Sequence, residues 1–417
     1  MSRASLLVRS ALLCLASLLA QASTSASEIA VRFELDVAAG KSLAAARIVV
    51  RQSDGALREI VLAREGLQKV SGDGEITVSR DMVRWLPPAA GGGTLRYQVA
   101  LSHRRQGENS PGNDAWVGER FALFRGENAF PIRSWRRARG SAMTGDLSVG
   151  LPKRWSLITP YLPNGLGRMP IHNPGTRLPR PIGWIIAGDL GTRRDFIDKL
   201  EITVTAPRGL RMERVALLGL LRWTLPQLLP ALYGPASPRY INIVAAAEPM
   251  WLGALSAPNS IFVHAQRPLI SENGTSTIVH EMVHVLLMDL ETPRDQDWID
   301  EGLAEFLSLR ALKDSGTISA SRYDAAVAGF RRRGESVKSL RTRSSKGAVT
   351  ARAVAVFHDL DEELRRASKG RQSVATVVSG LLRSKTPADP ETLRAAARRV
   401  IGRPARALVP AALPGLD

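Results

Sequence analysis

Two of the chain's six histidines lie four positions apart in an apolar segment, residues 276–287, whose sequence is STIVHEMVHVLL. Because an α-helix repeats about every 3.6 residues, His280 and His284 point the same way from successive turns. Such a pair of imidazoles can bind one metal ion. Glu281 lies about 100° around the helix from His280, which keeps its carboxylate away from the metal's ligand positions but close to a water bound there. This is the arrangement of the H-E-x-x-H motif.

A second motif supplies a candidate for the remaining ligand. A catalytic zinc ion takes three protein ligands and keeps one open position, so two histidines are not enough. The segment DWIDEGLAEF, residues 297–306, begins with acids suited to a helix N-cap and continues as a helix. Glu301 and Glu305 lie one turn apart on one face. If this helix packs against the first, Glu301 can complete the site, and Glu305 can accept a hydrogen bond from a ligand histidine.

Together, HEMVH and WIDEGLAEF resemble the gluzincin metallopeptidases, most closely their aminopeptidase N and glycyl aminopeptidase branches. The family pattern is H-E-x-x-H, a short interval, and then W-[LV]-x-E-G-x-[AT]-E. The resemblance covers roughly residues 208 to 380 and implies a peptidase that cleaves peptides or proteins with one Zn²⁺ per chain. It carries the ligand role to His280, His284 and Glu301 and the general-base role to Glu281. Whether such an enzyme is an exopeptidase or an endopeptidase stays open.

The resemblance weakens at two places that contact substrate in those families. GALSAPNSIF, residues 253–262, occupies the position of the substrate-binding strand, where Gly253 and Ala254 fit. Ser256 stands where the family has the glutamate that holds a substrate's free amino terminus. The family's later Y-x-K-G pattern is SSKG here, so Ser344 replaces the tyrosine that steadies the oxyanion. Losing such a donor costs about 10²–10³ in rate in known oxyanion holes.

These two replacements favour a second interpretation, a zinc-binding pseudopeptidase that holds a peptide or a partner protein in the same cleft. A third is an envelope scaffold in which the metal is only structural. That scaffold needs a closed site with a fourth protein ligand, and the sequence offers no candidate for it. For an active enzyme, Tyr323 or His358 could supply the missing oxyanion donor from another direction.

The first residues have the order of a secretory signal peptide. Two arginines precede the apolar run ALLCLASLLA, and the small-residue pattern AQA ends at Ala22. We therefore predict that residues 1–22 are a signal peptide, with cleavage after Ala26 as the alternative, and that the protein is exported, to the periplasm or the outside of a bacterial cell. A membrane anchor is the rival interpretation, but the apolar run is short for a span. Because Cys14 is the only cysteine, the exported chain forms no disulfide.

Hydrophobic patterning predicts an α+β fold in three parts. Alternating apolar and polar residues, as in AVRFELDV (30–37) and TLRYQVAL (94–101), predict an all-β N-terminal domain over residues 27–207. A thermolysin-like catalytic domain, a small sheet with the two zinc-motif helices, is expected over residues 208–315. The remainder, residues 316–417, has the pattern of a helical C-terminal region.

One apolar stretch could be mistaken for a membrane span. Residues 213–234 have helical apolar spacing, but Arg222, Pro226 and Pro230 interrupt them. We predict a buried pair of helices there and no transmembrane span after signal cleavage.

The chain is strongly basic, with a formal net charge of +18, of which two charges belong to the signal peptide's arginines. Such a charge favours anionic surfaces, and the cell envelope is the expected candidate. The densest basic segments, residues 133–139 and 331–346, lack the interleaved aromatic residues and the motifs of nucleic-acid binders. We therefore expect no specific nucleic-acid partner.

Overall fold

The computed structural model describes residues 28–105, 111–165, 167–173, 179–234 and 237–416. The predicted signal peptide lies outside these residues. Within them the α+β fold is confirmed, because strands fill the first part of the chain and helices the last. The strands are Glu28–Asp36 (β1), Leu43–Gln52 (β2), Leu57–Ala63 (β3), Leu67–Gly72 (β4), Glu75–Val78 (β5), Met82–Leu86 (β6), Gly93–Ala100 (β7), His103–Arg104 (β8), Asn113–Val117 (β9), Phe121–Arg125 (β10), Ile132–Arg137 (β11), Ala142–Gly150 (β12), Ser156–Ile158 (β13), Met169–Pro170 (β14), Trp184–Gly188 (β15), Leu190–Ile197 (β16), Leu200–Pro207 (β17), Tyr240–Ala246 (β18), Ala254–Ala257 (β19) and Ser260–His264 (β20).

Three sheets form the N-terminal region, in the strand orders β14-β12-β1-β2-β7-β4, β13-β15-β10-β9-β8 and β11-β3-β6-β5. Strand β1 shows why these residues form sheets: Ile29, Val31, Phe33 and Leu35 alternate with small or charged residues and are all buried. Their side chains therefore face one core while the intervening ones face outward. This region has a hydrophobic cluster of its own, from Ile29 to Ile185.

A fourth sheet, in the order β16-β17-β18-β20-β19, lies under the two zinc motifs. Strand β18 pairs in parallel with both β17 and β20, while β16 and β19 pair antiparallel and form its edges. The predicted division after residue 207 would therefore cut through this sheet, which begins at Leu190. Alternation marks β17 as a strand, whereas β16 lacks it. The sequence does not reveal which sheet either strand joins, because pairing is a contact between distant residues.

The helices follow, and most of them pack on that sheet or on one another. They are Gly126–Ala129 (α1), Arg214–Leu232 (α2), Thr277–Leu286 (α3), Asp297–Asp314 (α4), Ala320–Gly334 (α5), Ala348–Ser368 (α6), Val374–Ser384 (α7) and Pro390–Ile401 (α8), with short 3₁₀ turns at Arg406–Leu408 and Pro410–Ala412. One hydrophobic cluster runs from Ile197 through all the later helices to Leu416. The residues before and after the predicted boundary between 315 and 316 therefore share one hydrophobic core.

Helix α2 corrects one prediction, because residues 214–232 form one continuous helix and not a pair. Pro226 and Pro230 both lie on its exposed side. A proline has no N–H, so the carbonyl four residues before it loses its helical hydrogen bond. On the exposed side water can bind that carbonyl, so the helix continues through both prolines. Among the described helices, α2 alone is long and apolar enough to cross a membrane by length and composition, and half of the stretch that meets this test is buried in the protein.

Candidate metal centre

Helix α3 holds both histidines on a rigid element. The hydroxyl of Ser276, the residue before the helix, accepts a hydrogen bond from the Val279 N–H and so caps the first turn. Apolar side chains such as Met282 and Val283 are buried against the core. That packing turns His280 and His284 towards α4, the helix that carries the second motif.

The two imidazoles and one carboxylate converge at a single point. The Nε2 atoms of His280 and His284 lie 3.1 Å apart, and each lies 3.6 Å from an oxygen of Glu301. Donor atoms around a tetrahedral zinc ion, with bonds of about 2.0–2.1 Å, lie about 3.3 Å from one another. The three side chains therefore fit one such ion, and among the described residues they are the group that could hold a metal.

Carboxylates also lie behind both histidines. The Nδ1 of His280 lies 2.8 Å from Oε2 of Glu305, and the Nδ1 of His284 lies 3.5 Å from Oδ1 of Asp300. A carboxylate at Nδ1 keeps the proton there and leaves Nε2 free to bind a metal. Helical spacing predicted the position of Glu305. It missed Asp300, whose proximity to His284 depends on how the two helices approach each other.

Burial and the nearby acids act in opposite directions on the histidines. Burial lowers the pKa of His280, but the Glu305 carboxylate and two further glutamates outweigh it and raise the pKa to about 9. Burial likewise opposes the effect of Asp300 on His284, whose pKa is nevertheless raised. The pKa of Glu301 is raised by burial. The centre therefore favours positive charge, which suits a divalent cation as well as protons.

The predicted general base lies between the centre and an edge strand. Glu281 is 8% exposed, and its Oε2 accepts a hydrogen bond of 2.7 Å from the Ser256 N–H of β19. The substrate-strand candidates Gly253, Ala254 and Ser256 thus lie beside the zinc-motif helix. Gly253 has a packing role as well, because a Cβ there would come within 1.6 Å of the Trp251 ring. A larger residue at this position would force the Trp251 ring to move.

Comparison with known proteins gives no match in sequence: no family model fits the chain, and no curated protein resembles it detectably. Solved structures do match. An aminopeptidase N family protein from Idiomarina loihiensis superposes with a TM-score of 0.68 at 12% identity, over 93% of this chain and 76% of that one. An M1 zinc metallopeptidase from Deinococcus radiodurans gives 0.63 at 16% identity, over 92% of both chains. A variant of an M1 zinc metallopeptidase from that organism, solved with a Tyr-Ser-Ala substrate, gives 0.64 at 14% identity, over 94% of both.

The chain has an aminopeptidase N-like fold. Identities this low establish the fold alone, and at that level the resemblance predicted from HEMVH and WIDEGLAEF is confirmed. The likeness also reaches well beyond the region that the sequence motifs covered, since it includes the N-terminal sheets.

Within this aminopeptidase N-like fold, the start of α4 is fixed by an unexpected contact. Its predicted acidic N-cap is replaced by Gln296, which makes no side-chain cap. Asp297 is instead the first helical residue, and its carboxylate accepts a hydrogen bond of 2.6 Å from the Ser345 N–H. This contact holds the loop that carries Ser344 against the metal-ligand helix. The Ser344 side chain is exposed and offers a hydroxyl where the family has a phenol.

Neither proposed replacement for that phenol lies near the centre. The Tyr323 ring lies 4.3 Å from Nζ of Lys313, at the far end of α4 from Glu301. Twelve residues separate Lys313 from Glu301, which is about 18 Å along a helix. The His358 ring lies 6.0 Å from that of Tyr323, so both belong to the distal end. These two candidates are therefore wrong.

Proposed function

We propose that this protein is a zinc-dependent peptidase that hydrolyses peptide bonds, with Glu281 as general base. One observation carries the proposal: three ligand side chains converge with the separations that zinc requires, and a buried carboxylate lies beside them. The fold shared with zinc metallopeptidases supports it. Two imidazoles and one carboxylate leave one position of a tetrahedral ion open, as a catalytic site needs.

The chain's own residues supply the proton transfers. Zinc, when bound, polarises a carbonyl oxygen and makes water acidic enough to ionise near neutral pH. Glu281 is held at the edge of the centre by the Ser256 N–H, so its free oxygen can take the proton of the attacking water. It then delivers that proton to the leaving amine. Glu305 and Asp300 keep the two imidazoles oriented throughout.

A peptide substrate fits the geometry next to the centre. Strand β19 is the edge of its sheet, so its outer side can pair with an extended peptide. The Deinococcus relative solved with Tyr-Ser-Ala supports this substrate class. Serine at position 256 provides no negative charge for a substrate's free amino terminus, so we expect no strong requirement for one.

The test is a peptide-library digest with the wild type and Glu281→Gln, with zinc measured in both. Glutamine keeps an oxygen that can accept the Ser256 N–H, so the variant should fold and bind one zinc ion per chain. We expect its turnover to fall by about 10²–10⁴, the usual contribution of a general base. The cleavage positions also distinguish exopeptidase from endopeptidase activity. Equal cleavage by both proteins would remove Glu281 from the mechanism.

A second candidate function is a zinc-binding pseudopeptidase that holds a peptide or partner protein. The distal position of Tyr323 and His358 favours it, because neither replaces the oxyanion donor. It predicts stoichiometric zinc and no chelator-sensitive cleavage of any peptide in the library. Cleavage that zinc removal abolishes and zinc addition restores would exclude it.

Export also belongs to the proposal. The signal-peptide pattern of residues 1–22 and the net charge of +18 support an exported protein close to an anionic cell envelope. Fractionation of a bacterial host, with the N-terminal residue of the product determined by mass spectrometry, tests this. A product that stays inside the cell with residues 1–22 attached would contradict it.

A further inference from the structure

The outer face of α2 is apolar although it faces solvent. Leu217, Leu221 and Leu225 bury the inner face in the core. At 100° per residue, the exposed positions form an arc about 140° wide. They are Val215, Ala216, Arg222, Trp223, Pro226, Gln227 and Pro230. Only one of these carries a charge, and Val215 and Trp223 are each 68% exposed. A helix on a protein surface normally turns charged residues outward.

The neighbouring strand borders this face. Arg222 at its border pairs with Asp195 of β16, with 2.9 Å between Nε and Oδ2. Asp195 lies opposite Ile202 in the sheet and so faces the core on which α2 packs, whereas Phe196 lies opposite Glu201 and faces the other side. We call Val215, Trp223, Pro226 and Pro230 the outer α2 face.

The only charged residues in helix α2 are basic. No aspartate or glutamate occurs from Arg214 to Ala247, a stretch that contains the whole of α2. On β16, Arg193 is exposed and forms no ion pair with any described residue. At the borders, Asp195 pairs with Arg222, and Glu213 and Asp198 each lie within two positions of a basic residue in the sequence, Arg211 and Lys199. An apolar surface with an exposed tryptophan and positive charges at its border matches the interface of an anionic membrane.

We propose that the outer α2 face docks on an anionic lipid bilayer, with Trp223 and Val215 reaching the level of the headgroups. The docking uses neither zinc nor Glu281, so it is independent of the proposed peptidase activity. It gives the basic chain a defined orientation on a membrane.

The structure argues against deeper insertion. Half of α2 holds the protein's core, so the helix cannot leave it without unfolding the domain. Pro226 and Pro230 lack N–H groups, so the carbonyls of Arg222 and Pro226 have no helical donor and need water. Water is available among headgroups but not in the hydrocarbon layer. Docking therefore stops at the interface.

A second copy of the chain fits less well than a bilayer. The edge strand β16 could pair with its own copy, but Arg193 and Arg194 lie at its centre. A twofold antiparallel pair about that centre would place arginine opposite arginine, which is unfavourable. Anionic lipid phosphates would instead attract Arg193, which lies on the α2 side of the sheet, whereas Arg194 pairs with Glu201 on the other side.

Co-sedimentation with lipid vesicles tests the proposal. The exported protein is mixed with phosphatidylcholine vesicles that contain either no phosphatidylglycerol or a quarter of it, and every variant has the same verified N-terminus. We expect binding only to the anionic vesicles, weakened by salt and reduced about tenfold or more in Val215→Gln/Trp223→Gln. The control is Val78→Gln, which removes an exposed valine of the N-terminal sheets and should bind like wild type.

A second measurement does not depend on the double variant folding. Lipids that carry bromine on their acyl chains should quench part of the wild type's tryptophan fluorescence, and Trp223→Phe should remove that quenching. Failure of the wild type to bind anionic vesicles, or equal binding by the double variant, would overturn the proposal. A dimer in lipid-free ultracentrifugation that the double variant disrupts would assign the face to a second copy instead.

Discussion

Helices α2 and α3 are both apolar and both pack on the sheet that begins at β16, yet they depart from ordinary packing in opposite ways. Helix α3 places two histidines and a glutamate in a largely buried setting. Helix α2 exposes tryptophan and valine to solvent. Helix α3 has polar groups at buried positions, where apolar groups are usual. Helix α2 has apolar groups at exposed positions, where polar groups are usual.

The difference shows how to find functional residues on elements that look alike in composition. Burying a polar group costs free energy unless it is paired, and His280, Glu281 and His284 of α3 each have a partner in or beside the metal centre. An exposed apolar side chain costs less, so it is informative only when several form one patch. On α3 the functional site is identified by the partners of its buried polar side chains. On α2 it is identified by the clustering of exposed apolar side chains.

The largest expected effect comes from removing the carboxylate that joins the two motifs. In Glu301→Gln, the amide oxygen is a poor zinc ligand, and the two imidazoles alone do not hold the ion tightly. We expect zinc to fall from one per chain to almost none and chelator-sensitive cleavage to disappear. Metal analysis after dialysis measures this.

The matched control for that variant is Glu291→Gln, in the exposed loop between the two helices. It makes the same chemical change without touching the centre, so its zinc content should equal that of the wild type. Full zinc in Glu301→Gln would show that the metal uses other ligands, and the contrast between α3 and α2 would lose its basis.

The features that sequence could predict are those set by local periodicity. The positions of His280, Glu281 and His284 follow from helical spacing alone, and so does the pairing of Glu301 with Glu305 on one face. The α+β class follows from alternation in the first half and helical spacing in the second. Each of these depends on residues close together in the chain.

The features that sequence missed depend on contacts between distant segments. Strand β17 alternates like those of the N-terminal sheets and β16 does not, yet both join the sheet under the metal centre. Asp300 lies beside His284 only because α3 and α4 approach as they do. Tyr323 and His358 were plausible donors until the packing of α5 and α6 placed them at the far end.

An intermediate effect separates the two carboxylates behind the histidines. Glu305→Gln removes the partner 2.8 Å from His280, and we expect zinc affinity to fall about 10–100-fold. Asp300→Asn removes a partner 3.5 Å from His284 on a more exposed residue, so its effect should be smaller. Competition with a fluorescent zinc chelator measures both. The opposite ranking would mean that distance to Nδ1 does not set the strength of the support.

The smallest expected effect is on folding, and it compares the two sides of α2 directly. Leu221 is fully buried, so Leu221→Ala should lower the free energy of unfolding by about 2–5 kcal/mol. Trp223, two positions later, is 68% exposed, so Trp223→Gln should change the free energy of unfolding by no more than about 0.5 kcal/mol. Urea unfolding followed by circular dichroism measures both variants. A large loss of stability in Trp223→Gln would show that the tryptophan contributes to the protein's own packing, and the outer α2 face would then need no external partner.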